Sequence, residues 1–329
     1  MRRLTFVLVA PIILVTASQM AAQTRAEARQ FYQGRRGPEQ SDTISRKIRL
    51  GRDGRVSVQN ISGQITVTTG PGDEVSIDAV KRTRGDRSGL GRVDVVIEEH
   101  AGRVDVRTEH KSWLRGDDVS VDYTIVVPES AAVEARSVSG NIRVTGAKGS
   151  VRMDTVSGNV VAVNVPRVEH ARTVSGNVDL AGIATDGDVS ATSISGNVHA
   201  DGIKARELEL STVSGEISLR DAACDRMNAH SISGSIEYTG TLVKNGRYEV
   251  NSHSGAVRFI LAGGIGFELS ATSFSGSVRS DYPMTIGGQG RPEIRGRRGP
   301  GNGIQATFGD GSAALNLRTF SGDIAILKK

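Results

Sequence analysis

Aromatic side chains and cysteine are the residues of which this sequence has least. Only 4% of its 329 residues are Phe, Trp or Tyr, whereas Gly occurs 40 times and 37% of the residues are hydrophobic. So few large side chains argue against a conventional thick core and favour a narrow one built from Val, Ile, Leu, Ala and Thr. The single cysteine, Cys224, excludes an internal disulfide, and its position between repeats favours a buried, inert thiol.

The sequence also lacks a strong excess of one charge, and it lacks a long apolar run in the body of the chain. Lys and Arg number 41 against 36 Asp and Glu, which gives a net charge of +5. This mild basicity lacks the interleaved aromatic residues that stack on bases, so nucleic acid is not an expected partner. No run after the N-terminal region is long enough to span a bilayer.

The N-terminus carries the features of a secretory signal. Arg2 and Arg3 supply a positive start, Leu4 to Ala17 form a short apolar stretch, and small residues lead to Ala22. We predict that residues 1–22 are a signal peptide cleaved near Ala22, with an uncleaved anchor as the alternative. The mature protein is then extracytoplasmic, in the periplasm, at the cell surface or secreted, and has no transmembrane span.

The dominant feature that is present is a short Ser-Gly phrase, as in Thr-Val-Ser-Gly-Asn-Val from Thr155. Outlying copies occur at Ser62 and Ser321, and the core series is spaced by 18, 18, 20, 19, 19, 21 and 21 residues. A fixed period near 20 residues is typical of a solenoid whose coils are unstable alone. The serines of the core series are Ser139, Ser157, Ser175, Ser195, Ser214, Ser233, Ser254 and Ser275.

Apolar and polar residues alternate on both sides of each phrase. In one coil, Leu208, Leu210 and Thr212 precede Ser214, and Ile217 and Leu219 follow it in the opposite phase. The alternation predicts two half-buried strands, and the change of phase predicts a bulge or corner at the Ser-Gly. We therefore predict an all-β, single-domain parallel β-solenoid (β-helix) of 18–21 residues per coil, with right-handed winding favoured by the crossover rule.

Three positions at the corner carry further expectations. The residue before each Ser is apolar in nine of ten copies, with His253 as the exception, and we expect it to point inward. The residue two before each Ser is Ser, Thr or Asn, and we expect its side chain to bond the corner backbone. Asn follows the Gly in four successive coils, which predicts a structural ladder along the axis. A row of amides that binds a glycan is the alternative for those asparagines. The structural corner and ladder residues are Ser139, Gly140, Asn141, Ser157, Gly158, Asn159, Ser175, Gly176, Asn177, Ser195, Gly196 and Asn197.

The rest of the chain is organised around this series. Residues 23–45 read as a flexible leader, and residues 46–329 as the solenoid. Within the solenoid we expect degenerate coils over 46–136, regular coils over 137–280, a basic Gly/Arg loop over 287–303, and a closing hairpin with a last coil over 304–329. A first hairpin is expected from Ile48 to Val58 around the turn at Gly51 to Gly54.

The repeated Thr-Val-Ser-Gly-Asn-Val, the Tyr-Thr-Ile-Val-Val-Pro that ends at Pro128 and the Arg-Thr-Phe-Ser-Gly-Asp-Ile from Arg318 resemble the bacterial "putative adhesin" domain family, as does Ser-Asp-Tyr-Pro from Ser280. The resemblance covers about residues 46–328 and is most specific over 121–326. It implies a secreted or envelope β-solenoid of unknown function. The word adhesin is a label in that family, and the resemblance brings no catalytic residues with it.

No pattern for catalysis or metal binding emerges from the side chains that equal offsets would stack. The columns three before, five before and four after the Ser place no two acids on adjacent coils, and the histidines lack chelating spacing. We therefore expect no cofactor and a non-enzymatic envelope protein for adhesion, scaffolding or surface sensing. The alternatives are a β-helix carbohydrate-active enzyme and a self-assembling structural solenoid.

The sequence offers one candidate binding element, the basic loop. Its arginines could hold phosphate or carboxylate groups, which makes an envelope polysaccharide or another envelope protein the candidate partner. A purely solubilising loop is the alternative. The candidate residues are Arg291, Arg295, Arg297 and Arg298.

Overall fold

A computed structural model describes residues 38–111, 119–283, 285–286 and 302–329. In these ranges the chain is all-β, and the one helix is a short 3-10 turn at Arg87–Arg92. The all-β class predicted from the sequence is confirmed. The predicted signal peptide lies outside the described residues, as does the leader up to residue 37.

Twenty-five strands are present in the described ranges. Before the regular repeats they are β1 (Gln40–Arg49), β2 (Arg55–Ser62), β3 (Ile65–Gly70), β4 (Glu74–Thr83), β5 (Val93–His100), β6 (Arg103–His110) and β7 (Val119–Pro128). The repeats hold β8 (Ala132–Ser139), β9 (Ile142–Thr145), β10 (Val151–Ser157), β11 (Val160–Val163), β12 (Val168–Ser175), β13 (Val178–Ala184), β14 (Asp188–Ser195), β15 (Val198–Ser214), β16 (Ile217–Ser233), β17 (Ile236–Gly240), β18 (Arg247–Ser254) and β19 (Val257–Leu261). The C-terminal part adds β20 (Phe267–Ser275), β21 (Val278–Ser280), β22 (Thr285–Ile286), β23 (Asn302–Phe308), β24 (Ala313–Ser321) and β25 (Ile324–Lys328).

The strands form because apolar residues alternate with polar ones and can all face a single narrow core. Leu208, Leu210 and Thr212 are at most 1% exposed, and Ile217 and Leu219 from the strand beyond the corner are fully buried. Each coil thus contributes two short apolar rows that meet in the middle. One group of aromatic residues packs inside this core, where the Tyr238 ring centroid lies 5.0 Å from that of Phe259 and 5.7 Å from that of Tyr248.

Strands of successive repeats pair in parallel and in register. Ser157 of β10 is aligned with Ser139 on one side and with Ser175 on the other, and the same alignment continues through Ser195 and Ser214. All described strands belong to one hydrogen-bonded sheet that winds into a solenoid-like shape. Residues at equal offsets from the Ser therefore lie above one another, except where the register shifts by one residue, as between Val151 and Arg152.

The stacking order departs from the chain order at both ends of the solenoid. The C-terminal strand β24 pairs with β18 on one side and β20 on the other, so the last Ser-Gly phrase lies between the phrases of Ser254 and Ser275. At the other end β2 lies between β6 and β8. The ten phrases still form one column, and its order is Ser62, Ser139, Ser157, Ser175, Ser195, Ser214, Ser233, Ser254, Ser321 and Ser275.

The two predicted hairpins are wrong. β1 pairs with β4, and β2 with β6 and β8, so the segments on either side of the Gly51 to Gly54 turn do not pair with each other. At the C-terminal end β20 lies between β23 and β24, antiparallel to the first and parallel to the second. Each turn reverses or redirects the chain as expected, but the neighbouring strand comes from a distant part of the sequence.

The segment expected to form degenerate coils also differs from that expectation. β4 runs antiparallel to both β1 and β7, and β5 runs antiparallel to β6. Of the described strands from β4 to β7, only β6 and β7 continue the parallel stack, beside β2 and β3. Antiparallel strands thus cover this end of the solenoid, and β22 and β23 do the same at the other end.

The glycine of each phrase fixes how closely the coils approach. A Cβ added to Gly158 would lie 2.2 Å from the carbonyl oxygen of Gly140 in the neighbouring coil, and one on Gly234 would lie 1.7 Å from that of Gly215. Gly158 also has φ of 147°, which L-residues rarely adopt. Any side chain at this position would push two coils apart.

We expect Gly158→Ala to lower the free energy of unfolding by about 2–4 kcal/mol, because the backbone of two coils must shift to admit the methyl group. Chemical denaturation of the purified variant measures this loss. Gly264→Ala is the matched control, since no atom lies within 4 Å of its added Cβ, and it should change stability by less than ~1 kcal/mol. Equal losses in the two variants would contradict the steric role of the corner.

Candidate functional site

The corner is held by a column of buried side chains two residues before each Ser. Thr173 Oγ1 donates to the Gly158 carbonyl at 2.8 Å, and Thr212 Oγ1 donates to the Gly196 carbonyl at 3.0 Å. Seven hydroxyls in the described chain make this bond to the adjacent coil, as expected from the sequence. Asn60, at the first level, bonds the Gly63 and Val121 carbonyls instead.

The asparagine ladder connects the same coils on the other side of the glycine. Asn141 Oδ1 accepts the backbone N–H of Asn159 at 2.8 Å, and Asn159 Oδ1 accepts that of Asn177 at 2.8 Å. The ladder ends where Asn197 Oδ1 accepts the N–H of Glu216. The oxygens of these amides therefore cap the backbone of the next coil, which supports the structural interpretation over a glycan-binding row.

We expect Thr173→Val to destabilise the protein by about 1–3 kcal/mol, because the fully buried hydroxyl is lost and the Gly158 carbonyl loses its donor. Urea denaturation measures the change. The control is Ser231→Ala at the same offset, since the Ser231 hydroxyl has no hydrogen-bond partner in the part of the chain that the structure describes. That variant should be neutral or slightly more stable. A loss at Ser231 as large as that at Thr173 would refute the bonding role of this column.

The residue before each Ser points outward, so the expectation that it faces the core is wrong. Each strand continues through the Ser, and the change of phase comes at the Gly. The preceding residue therefore keeps the solvent-facing parity of the strand. Val138 is 52% exposed, and Phe320 is 48% exposed. We call this column the corner stripe, and in stacking order it comprises Ile61, Val138, Val156, Val174, Ile194, Val213, Ile232, His253, Phe320 and Phe274.

The corner stripe holds nearly all of the large apolar side chains exposed in the described ranges. Six of seven belong to it, and the other is Ile265. At one end the rings stack face to face, with centroids 4.6 Å apart between Phe274 and Phe320 and 5.0 Å apart between Phe320 and His253. This spacing matches that of neighbouring strands, so the side chains form a continuous ridge.

A second surface feature is a groove on another part of each coil, away from the Ser-Gly corner. It lies where the chain enters the strand that leads to the Ser. Its largest section has a volume of about 580 Å³ and is lined by Arg206, Glu207, Asp225, Arg226, Lys244, Asn245 and Arg247. Two adjacent sections share residues with it or with each other and extend the groove to Pro166. The groove is open and runs across several coils.

The groove contains a column that the sequence interpretation missed. Asp188, Glu207, Arg226 and Arg247 all lie seven residues before a Ser, and their Cα atoms are paired on adjacent strands. Two acids and then two arginines are thus stacked, whereas the columns considered from the sequence show no such run. The columns compared from the sequence reach only five residues before the Ser, and this column lies two residues further, at seven before.

The charges of this column are not equally neutralised. Arg206 donates two hydrogen bonds to Asp188 Oδ1, at 2.8 and 3.1 Å, and these bonds raise the pKa of Arg206. Arg226 and Arg247 are exposed and form no ion pair within 4.0 Å among the residues described. Lys244 lines the same section of the groove. We call Arg226, Lys244 and Arg247 the cationic cluster.

Other candidate groups have ordinary structural settings. Cys224 is buried, as expected, and burial raises the pKa of its thiol to about 12. His170 lies 3.7 Å from Asp154, and His253 belongs to the corner stripe. Within the described ranges no group of three or more His, Cys, Asp or Glu could hold a metal ion, and no helix there is long and apolar enough to cross a membrane. The predicted binding residues Arg291, Arg295, Arg297 and Arg298 lie outside the described residues.

Comparison with known proteins places the chain in a family. A family model described as Toastrack DUF4097 matches residues 121–327. The chain belongs to the Toastrack DUF4097 family. The match agrees with the resemblance seen in the repeats and begins within β7. A search of curated proteins finds no match.

Solved structures offer distant similarities. The chain is 12% identical to a "putative adhesin" from Bacteroides fragilis, with 87% of this chain and 97% of that one covered and a TM-score of 0.44. It is 15% identical to a "putative lipid binding protein" from Parabacteroides distasonis, with coverage of 88% and 97% and a TM-score of 0.39. A "putative cell adhesion protein" from Clostridium sporogenes is 9% identical, with coverage of 89% and 100% and a TM-score of 0.24. Similarity at this level does not establish a shared function.

Proposed function

We propose that this Toastrack protein is an exported, non-enzymatic protein of the cell envelope that adheres to an anionic envelope polymer. The observation that carries the proposal is the cationic cluster in the long groove. The signal-like residues 1–22 support export. Right-handed winding of the solenoid is part of the same proposal, because parallel crossovers favour that hand.

Among the described residues, Arg226 and Arg247 of the cationic cluster form no ion pair that would stabilise the fold. Arg226 and Arg247 are stacked like charges on neighbouring parallel strands, an arrangement that weakens a sheet. Some other exposed arginines do have carboxylate partners, such as Arg152 with Glu169 at 2.6 Å and Arg107 with Glu98 at 2.8 Å. An anion from another molecule would remove the repulsion between the two guanidinium groups.

The shape of the groove favours an extended ligand. It is an open channel across several coils rather than an enclosed cavity, and its sections are joined through Arg206, Asp225, Thr185 and Asp186. A polymer with phosphate or carboxylate groups could lie along the groove and contact several coils at once. The arginines of residues 287–303 would add a second, independent contact in the same proposal.

The test is binding of the processed, exported protein to immobilised polyphosphate and to polygalacturonate, with neutral dextran as the blank. We expect Arg226→Ala/Arg247→Ala to weaken binding about tenfold at low salt, because two ionic contacts of ~0.5–1 kcal/mol each are lost. Binding of the unmodified protein should also weaken as salt rises.

The matched control is Arg143→Ala/Arg258→Ala, which removes the same charge from two exposed arginines outside the groove. A variant with Arg291, Arg295, Arg297 and Arg298 replaced by Ala measures the contribution of the loop. No binding of the unmodified protein to either polymer would overturn the proposal. An equal loss in the control would assign the binding to net charge alone.

A further inference from the structure

The corner stripe is an exposed apolar surface whose composition the fold does not require. A solvent-facing position on a strand accepts polar residues at little cost, and His253 shows that the corner tolerates one. Yet the other nine positions hold Val, Ile or Phe. Contiguous apolar surface of this kind on a protein marks a place where another molecule binds.

The corner stripe is a long, straight ridge with a regular repeat. Nine intervals of ~4.8 Å give it a length of roughly 43 Å. Together with the polar rows on either side, a band about 20 Å wide would present roughly 860 Å², close to the ~800 Å² that each partner contributes to a stable interface of standard size. A partner must therefore match a long, straight ridge with a 4.8 Å repeat. A second copy of the same ridge has this length and repeat.

Two symmetric arrangements of two copies are possible, and charge distinguishes them. The stripe is flanked by the residues three before the Ser and by those two after it. A two-fold axis parallel to the solenoid axis brings one flank of a copy against the other flank of its partner at the same level. No level then opposes like charges, and the charged levels pair Arg136 with Asn141, Asp154 with Asn159, Arg172 with Asn177, Ser211 with Glu216 and Arg318 with Asp323.

The antiparallel arrangement is less favourable. The ten levels are numbered in stacking order, so Ser139 marks the second and Ser321 the ninth. With the stripes centred on each other, the second level of one copy faces the ninth level of the other, which brings Arg136 against Arg318. In the parallel arrangement Arg318 instead meets Asp323. Arg318 has no ion pair within 4.0 Å among the described residues, and Asp323 accepts from the Ser277 backbone and hydroxyl at 2.8 Å.

We propose that the corner stripe is the interface between two copies of this chain, which associate in parallel about a two-fold axis along the solenoid. Each level then packs on its own counterpart, so Phe320 meets Phe320 of the second copy. The proposal concerns a different surface from the groove and does not depend on polymer binding. Two parallel copies would present two grooves, and bivalent contact with one polymer strengthens attachment.

The first test is the mass of the processed protein by sedimentation equilibrium, with Val213→Glu compared with Ile265→Glu. These residues are similarly exposed, at 39% and 36%, but only Val213 lies in the stripe. We expect a dimer at about 0.1 mM, weakened about 100-fold or more by Val213→Glu because two carboxylates would face each other at the axis. Ile265→Glu should leave the dimer unchanged. Circular dichroism should show the same fold in both variants.

The second test is the orientation of the copies, measured with Val138→Cys. In the parallel dimer two Val138 positions meet, so mild oxidation should give a disulfide-linked dimer. The buried Cys224 should leave the unmodified protein unlinked. In the antiparallel arrangement Val138 faces Phe320, so only a mixture of the Val138→Cys and Phe320→Cys proteins would cross-link efficiently.

Several results would overturn the proposal. A monomer at about 0.1 mM, or a dimer that Val213→Glu leaves intact, would exclude the stripe as the interface. A monomer that binds phosphatidylglycerol vesicles and loses this binding on Val213→Glu would assign the stripe to lipid. Cross-linking only in the mixture would exclude the parallel arrangement. Polymer binding can persist in each of these cases, so failure here is distinguishable from failure of the proposed function.

Discussion

Close contact between glycines of neighbouring coils is the constraint on which this structure depends. At the corners from Gly63 to Gly255, the glycine has the carbonyl of the adjacent coil where a Cβ would be, and its own N–H donates to the Ser carbonyl on the other side, as Gly158 does to Ser175 at 2.9 Å. The buried hydroxyls and the asparagine oxygens add two further bonds between the same coils. Together they fix the register of one coil on the next.

That register decides what the surface presents. Because all ten phrases are aligned, any property that recurs at one offset becomes a line along the molecule. Buried hydroxyls make a bonded column, residues before the Ser make the corner stripe, and residues seven before the Ser make the charged column of the groove. A preference for one residue type at a single offset thereby becomes a long row of similar side chains. Such rows suit contact with extended partners better than with small molecules.

The strands and the corner could be predicted from the sequence because they follow from local alternation. The burial of Leu210 and Thr212 and the hydroxyl bonds to corner carbonyls needed no long-range information. The direction of residues such as Val138 was also contained in the alternation, since positions two, four and six before the Ser face inward. The expectation that this residue turns inward at the corner conflicts with that alternation.

The stacking order could not be predicted in this way. The Ser-Gly phrases are chemically alike, so the strand that ends at Ser321 can bond equally well to that of Ser254 or Ser275. Which neighbour it takes depends on how the chain returns from β23, whose own partner is β20. Of the candidate sites, the charged column of the groove is visible in the sequence only when the residues seven before each Ser are compared. Arg226 and Arg247 are 21 residues apart and become neighbours through the register.

The most direct test of this account is cross-linking that reports the order of the last three coils. Neighbouring levels lie ~4.8 Å apart, within the Cα separation that a disulfide permits, whereas levels two apart exceed it. His253→Cys/Phe320→Cys should therefore form an intramolecular disulfide at high dilution, and His253→Cys/Phe274→Cys should not. The opposite result would show that the coils stack in chain order, and would contradict the insertion of the C-terminal coil that the corner contacts require.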